Sequence, residues 1–334
     1  MSESTPMTVA VTGATGFVGR HTVRTLLERG HRVRALVRDS NKAADVLPLG
    51  DDAFKDRITC VSGDITDAHA CQSLVEGAGA VVNTVGIRRE LKPNVTFQRL
   101  HVLATKRLIA AAHHHGVRRY LQVSALGVRA GATTGYGKSK FEAETLLRES
   151  GLAWTIVRPS LIHGPDGEFV HMVRDWALGR SQPYAFIPYF QRVRFDTSKP
   201  TTPPKLESAL VQPVSVSDVA SFIVDALTSE EAIGEVYHLG GPERLTWPDV
   251  LETIRDNVPL AATKKPIIGL PGHLGVIAAR TAGFLGLGEA LPIGPSEPVM
   301  AMEDSICSNR KAQTHLGYEP RPFAETVKSY ADRL

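Results

Sequence analysis

An apolar run, MTVAVT at residues 7–12, is followed at once by glycines at 13, 16 and 19. Glycine lacks a Cβ, so this spacing permits a sharp turn out of a strand and a close approach of backbone to a bulky anion. A helix that opens in such a turn aims its N–H groups and the positive end of its dipole at a phosphate. Gly13 is expected to make the turn, Gly16 to admit a pyrophosphate, and Gly19 to let the helix pack on the strand. The alternative is a glycine-rich turn that binds nothing. A strand before the glycines and a helix after them argue against it.

The alternation continues. Apolar runs at 31–38, 56–63, 80–86, 118–125 and 154–160 are separated by segments of helical period, such as GRHTVRTLLERG and FQRLHVLATKRLIAAAHHHG. Strands alternating with helices imply right-handed crossovers and a doubly wound parallel α/β sheet, covered on both faces. Residues 1–160 are expected to form this nucleotide-binding domain, with parts of 210–245 completing the sheet. Residues 161–334 are expected to form a smaller α/β lobe for substrate or docking. There a helix is expected from Ser215, a strand at GEVYHLGG, and helices at LTWPDVLETIRDN and FAETVKSYADRL. Residues 181–213, rich in proline and aromatics, are too long for an ordinary connection and suggest a functional loop or lid.

With 334 residues and a formal charge of +3, the lysines and arginines are spread out, which disfavours a nucleic-acid surface. Cys60, Cys71 and Cys307 have neither disulfide nor zinc spacing, and suggest reduced thiols in the cytoplasm. The first eight residues do not read as a secretory signal. The longest weakly charged stretch, 270–287, is too interrupted to span a bilayer. Packing is its default role, with a membrane-surface or partner-docking helix as the alternative.

Among seven tyrosines, only Tyr136 has a lysine four residues on, Lys140, on the same helical face. A nearby ammonium stabilises a phenolate and favours proton transfer. Ser124, twelve residues upstream at a strand end, can hydrogen-bond a carbonyl or alkoxide oxygen. The run His113–His115 cannot converge on one metal ion from adjacent helical positions, so no metal site is expected. His163 has either a site or a structural role, and Arg158 reads as a packing residue. Tyr184, Phe186, Tyr189 and Phe190 either line an apolar pocket or pack between elements.

The form TGATGFVG, with GDITD, VVNTVG, VSALG, YGKSK, IVRPSLIHGP, PVSVSDVA and HLGGPERLTW, resembles the extended and atypical branches of the short-chain dehydrogenase/reductase superfamily. Within them the chain is most similar to the group related to the nucleotide-binding accessory subunit of respiratory complex I, through LHVLATKRLIAAAHHHGVRRYLQVSALG and GGPERLT. The resemblance implies a Rossmann fold binding NAD(P)(H) and a Ser124–Tyr136–Lys140 catalytic set. Tyr136 would move the hydroxyl proton, and Lys140 would also hold the nicotinamide ribose. It further implies cofactor contacts at Thr15, Phe17 and Val18 beside the three glycines, at Asp64 and Ile65 flanking adenine, and at Val85, Gly86 and Pro159 near the nicotinamide. At the tip of the second strand the family uses an acid for a ribose hydroxyl or an arginine for a 2′-phosphate. Arg38 stands there with Lys42 nearby, so NADP(H) is expected over NAD(H).

One departure is His101, where many active members have asparagine; this puts the usual proton-relay water in question, and Asn83 is no obvious substitute. The expected activity is carbonyl/alcohol oxidoreduction on an unidentified small molecule. Two alternatives are a non-catalytic nucleotide-binding assembly protein and a nucleotide-sugar epimerase or dehydratase. Helices flanking the sheet commonly pair in the superfamily, which leaves a homodimer and a monomer both open.

Overall fold

The computed structural model describes residues 5–195, 203–259, 261, 264–284 and 296–334. The chain forms two compact units, the first assembled from residues 1–159, 216–239 and 308–319. Its strands β1 (Thr8–Thr12), β2 (Arg32–Val37), β3 (Ile58–Ser62), β4 (Ala80–Asn83), β5 (Arg119–Val123) and β6 (Ala153–Pro159) are joined by a seventh, Glu235–Leu239. All pairings are parallel, in the order β3–β2–β1–β4–β5–β6–seventh strand. Helices α1 (Phe17–Glu28), α2 (Ser40–Val46), α3 (Ala68–Val75), α4 (Ala104–His114) and α5 (Gly135–Arg148) make the connections.

The strands are apolar because both faces are covered: Val9, Ala10 and Val11 of β1 and Ala80, Val81 and Val82 of β4 are fully buried. The strand order reverses between β1 and β4. Loops leaving their carboxyl ends diverge there, and ligands of open α/β sheets bind in that crevice. β4 ends at Asn83, earlier than its apolar run suggests, so Val85 and Gly86 lie in the loop. The helix expected after β4 opens with a π-helical turn, Gln98–Leu103, before continuing as α4.

The second unit comprises residues 160–215, 240–307 and 320–334. Helices Glu168–Leu178, Trp247–Asp256 and Phe323–Lys328 bury Val173, Trp176, Leu251, Ile254, Phe323 and Val327 in one cluster. Residues 181–213 are not a bare loop. Strand Ile187–Arg194 pairs parallel with Ile267–Pro271 and antiparallel with Lys205–Ser208. Its alternation was obscured by the prolines and aromatics around it: Ile187 and Tyr189, two apart, join the core, and Phe190 on the other face lies against Gly275.

Within 270–287, a strand ends at Pro271 and helix Gly272–Phe284 follows; residues 285–287 lie outside the described residues. No helix among the described residues is long and apolar enough to cross a membrane. His163 is buried in this unit, 3.0 Å from the Tyr330 hydroxyl and edge-on to Phe323.

Candidate cofactor and active site

The turn after β1 is built around Gly13, at φ +70°, where only glycine is unstrained. The Gly16 N–H donates to the Gly13 carbonyl at 2.8 Å, closing the turn. A Cβ on Gly16 would stand 3.0 Å from the same oxygen, and one on Gly13 only 2.7 Å from Thr84 Oγ1. Gly16 also caps α1 without a side chain, and the first turn of α1 carries no acidic residue. The positive end of a twelve-residue helix is therefore left for an outside anion. Thr15, Phe17 and Val18 line this turn half-buried, with the Phe17 ring edge-on to His21.

Arg38 follows β2 and is exposed, with a guanidinium nitrogen 3.9 Å from Asp64. Asp39 beside it caps α2, its Oδ1 accepting from the N–H groups of Asn41 and Lys42. The Lys42 side chain is exposed on that first turn. Asp64 accepts from the Thr66 N–H and hydroxyl. Burial pushes its carboxyl up, but the Thr66 bonds, together with Arg38 and Arg99, hold it below the ordinary value. Ile65 beside it is buried.

A buried polar chain sets the end of β4. Thr12 Oγ1 donates to Asn83 Oδ1 at 2.8 Å, and Asn83 Nδ2 donates to Gln122 at 3.0 Å. The same Oδ1 accepts from the Val85 N–H at 3.1 Å, so three strands fix the loop that carries Val85 and Gly86.

Tyr136 and Lys140 occupy the start of α5, capped by Thr134, whose hydroxyl accepts from the Gly137 N–H. The Lys140 ammonium donates to the carbonyls of Val85 and Val123, both at 3.3 Å, tying α5 to the ends of β4 and β5. Burial lowers its pKa to about 8, opposed by Glu144 one turn on. It therefore stays mostly cationic at neutral pH. Glu144 is itself buried and gripped by Arg158 and Arg148, at 2.5 and 2.8 Å. Arg158 is thus engaged in a buried ion pair.

Ser124 follows β5, and its hydroxyl is buried with no hydrogen-bond partner among the described residues. A buried hydroxyl without a partner is costly, and such groups mark places where a ligand atom completes the bonding. Pro159 ends β6, buried, with its carbonyl accepting from the Leu126 N–H. Tyr136 is half-buried and packs edge-on against Phe97 and His101. Burial pushes its phenol up to about 12, with Arg88 acting in the opposite direction, so it stands protonated.

The structure therefore collects Ser124, Lys140, Val85 and the Tyr136 turn around the ends of β4 and β5. It sets the glycine turn after β1 and Arg38 with Asp64 after β2 and β3. Ser139, whose Oγ lies 2.8 Å from His101 Nδ1, and Arg88, whose charge favours the Tyr136 phenolate, escaped the sequence reading, since their relevance depends on contacts made only in the fold. The histidine run has ordinary roles: His113 bonds the Ser150 carbonyl, and the rings of His114 and His115 meet edge to face.

A seven-stranded parallel sheet with a glycine turn at its switch point defines a dinucleotide-binding Rossmann protein. The chain belongs to the NAD(P)H-binding family, which it matches over residues 13–179. It is 29% identical over 250 residues to mitochondrial NADH dehydrogenase [ubiquinone] 1 alpha subcomplex subunit 9 of Arabidopsis thaliana, covering 74% of this chain and 57% of that one. It is 26% identical over 322 residues to the chloroplastic divinyl chlorophyllide a 8-vinyl-reductase of the same plant, covering 89% and 69%. The chain thus spans just over half the length of that complex I subunit. Among solved structures, UDP-glucose 4-epimerase of Thermotoga maritima superposes with a TM-score of 0.68 over 98% of both chains, at 18% identity, a likeness of fold.

Proposed function

We propose that the protein is an NADPH-dependent reductase that converts a small-molecule carbonyl to an alcohol. The observation that carries this reading is the buried, unpartnered Ser124 hydroxyl at the end of β5, beside the carbonyl that Lys140 binds. The residues suit a dinucleotide: a glycine cradle that any Cβ would fill, an uncapped helix end, and a lysine held at the loop after β4. When bound, NADPH supplies the hydride for the carbonyl carbon. Ser124 donates to the substrate oxygen as charge develops there. Tyr136, protonated at rest, would give its proton to that oxygen; Arg88 is the cation that favours the phenolate left behind, and Lys140 holds the loop after β4. Arg38 would hold the 2′-phosphate by donating to its oxygens, while Asp39 engages its Oδ1 in capping α2.

Tyr136→Phe tests the mechanism. NADPH oxidation at 340 nm over a panel of carbonyl compounds should fall at least a hundredfold, with NADPH affinity within about twofold of wild type. Turnover that survives would exclude Tyr136 as the acid.

A second reading is a nucleotide-binding assembly protein. It draws on exposed apolar side chains in the second unit, Phe195, Leu274 and Ile277 among them, which suit a docking face for a protein partner. A well-folded, NADPH-bound protein without turnover over the panel would favour it.

A further inference from the structure

We propose that His101 is the positioning residue that holds the loop after β4 through the Ile87 N–H, with Ser139 of α5 fixing its tautomer and orientation; this rests on the reading of that loop and of the first turn of α5 as the nicotinamide end of the site. The Ile87 N–H donates to His101 Nε2 at 3.1 Å. A backbone N–H can only donate, so Nε2 is the acceptor and the ring proton sits on Nδ1. Nδ1 lies 2.8 Å from Ser139 Oγ, and that hydroxyl lies 2.9 Å from the Tyr136 carbonyl. The bonds therefore run in one direction: Ile87 N–H to imidazole, imidazole N–H to Ser139, Ser139 O–H to Tyr136.

The chain works only with a neutral ring, because a proton on Nε2 would face the Ile87 N–H. Burial, reinforced by the Lys140 cation, holds the imidazole neutral, with its pKa down to about 2. The local backbone serves the same end. His101 lies in the π-helical turn, which is a common device where a helix must aim one side chain at a site. Phe97 stacks on the ring at 5.5 Å and fixes its plane, while Tyr136 packs on it edge-on at 5.7 Å.

The loop is consequently held at two points two residues apart: Lys140 grips the Val85 carbonyl and His101 grips the Ile87 N–H. Both grips lead back to α5, through Lys140 itself and through Ser139 beside it. Asparagine at position 101 is shorter and could reach only one of these partners.

Side-chain amides separate the two arms. Glutamine places an oxygen near the Nε2 position and can accept from Ile87, whereas asparagine reaches only toward Ser139; leucine serves neither. Wild type, His101→Gln, His101→Asn and His101→Leu are titrated with NADPH and NADH by nicotinamide fluorescence, with circular dichroism as the check on folding. Binding of the preferred nucleotide should weaken about tenfold in His101→Asn and His101→Leu and stay within about twofold of wild type in His101→Gln. Glutamine as weak as leucine, or leucine equal to wild type, overturns the assignment. If the leucine variant does not fold, the contrast between glutamine and asparagine decides. Wild type binding neither nucleotide overturns both this assignment and the cofactor reading beneath it. The predicted contrast without carbonyl turnover overturns only the reductase reading.

Discussion

Gly19 lies so close to Gly13 that a Cβ on Gly19 would overlap the Gly13 carbonyl oxygen. Backbone is on both sides of this contact, so nothing can step aside except the turn or the helix. Gly19→Ala should cost about 1–3 kcal/mol of stability, the range for overpacking a tight site, and should abolish detectable NADPH binding. Gly50→Ala is the control, since a Cβ there meets nothing. Urea unfolding and nucleotide titration of both variants check this, and unimpaired binding by Gly19→Ala would show that the turn is not the phosphate cradle.

Arg38 is exposed, and its approach to Asp64 is loose, so little folding energy rests on it. Arg38→Ala should leave the melting temperature unchanged while weakening NADPH binding at least tenfold and NADH binding less than twofold. Equal losses for the two nucleotides would remove the 2′-phosphate assignment.

His101 and His163 are buried with pKa values lowered to about 2 and about 3, by burial first and by Lys140 and Arg321 respectively. Unfolding returns each ring to water, where its pKa is 6.5. Between those limits the unfolded chain binds more protons than the folded one. Stability therefore rises with pH up to about 6.5 and levels off above it, each ring contributing a slope of about 1.4 kcal/mol per pH unit. His163→Gln should remove about that much slope between pH 4.5 and 6, measured by urea unfolding. An unchanged slope would mean that His163 is protonated in the fold.

The sheet was legible because its causes are local. A strand buried on both faces must be apolar along its length, as Val9–Val11 and Ala80–Val82 are, and a strand-to-helix turn under a phosphate must be glycine at fixed intervals. The same local chemistry pointed to Tyr136 and Lys140, one helical turn apart. The strand at Ile187–Arg194 was hidden because a two-residue alternation is weak evidence inside a proline-rich stretch. The bonds through His101 and Ser139 were out of reach, since Ile87 is fourteen residues from one and the other gains its role only when α5 packs on the π-helical turn. Nor does any sequence pattern say that residues 308–319 return to the first unit.

The return of residues 216–239 to the first unit has a bearing on biosynthesis. Arg119 at the start of β5 donates to the carbonyls of Ala226 and Leu227, and Thr155 of β6 donates to the carbonyl of Ala232. These acceptors leave the ribosome 77 to 108 residues after their donors. Until Glu235–Leu239 arrives, β6 is an open edge with its ladder unfilled and its side-chain donors unmet, the kind of edge on which nascent chains associate with one another. Translation speed through residues 160–239, and any chaperone that shields β6 meanwhile, therefore bear on the yield of folded protein.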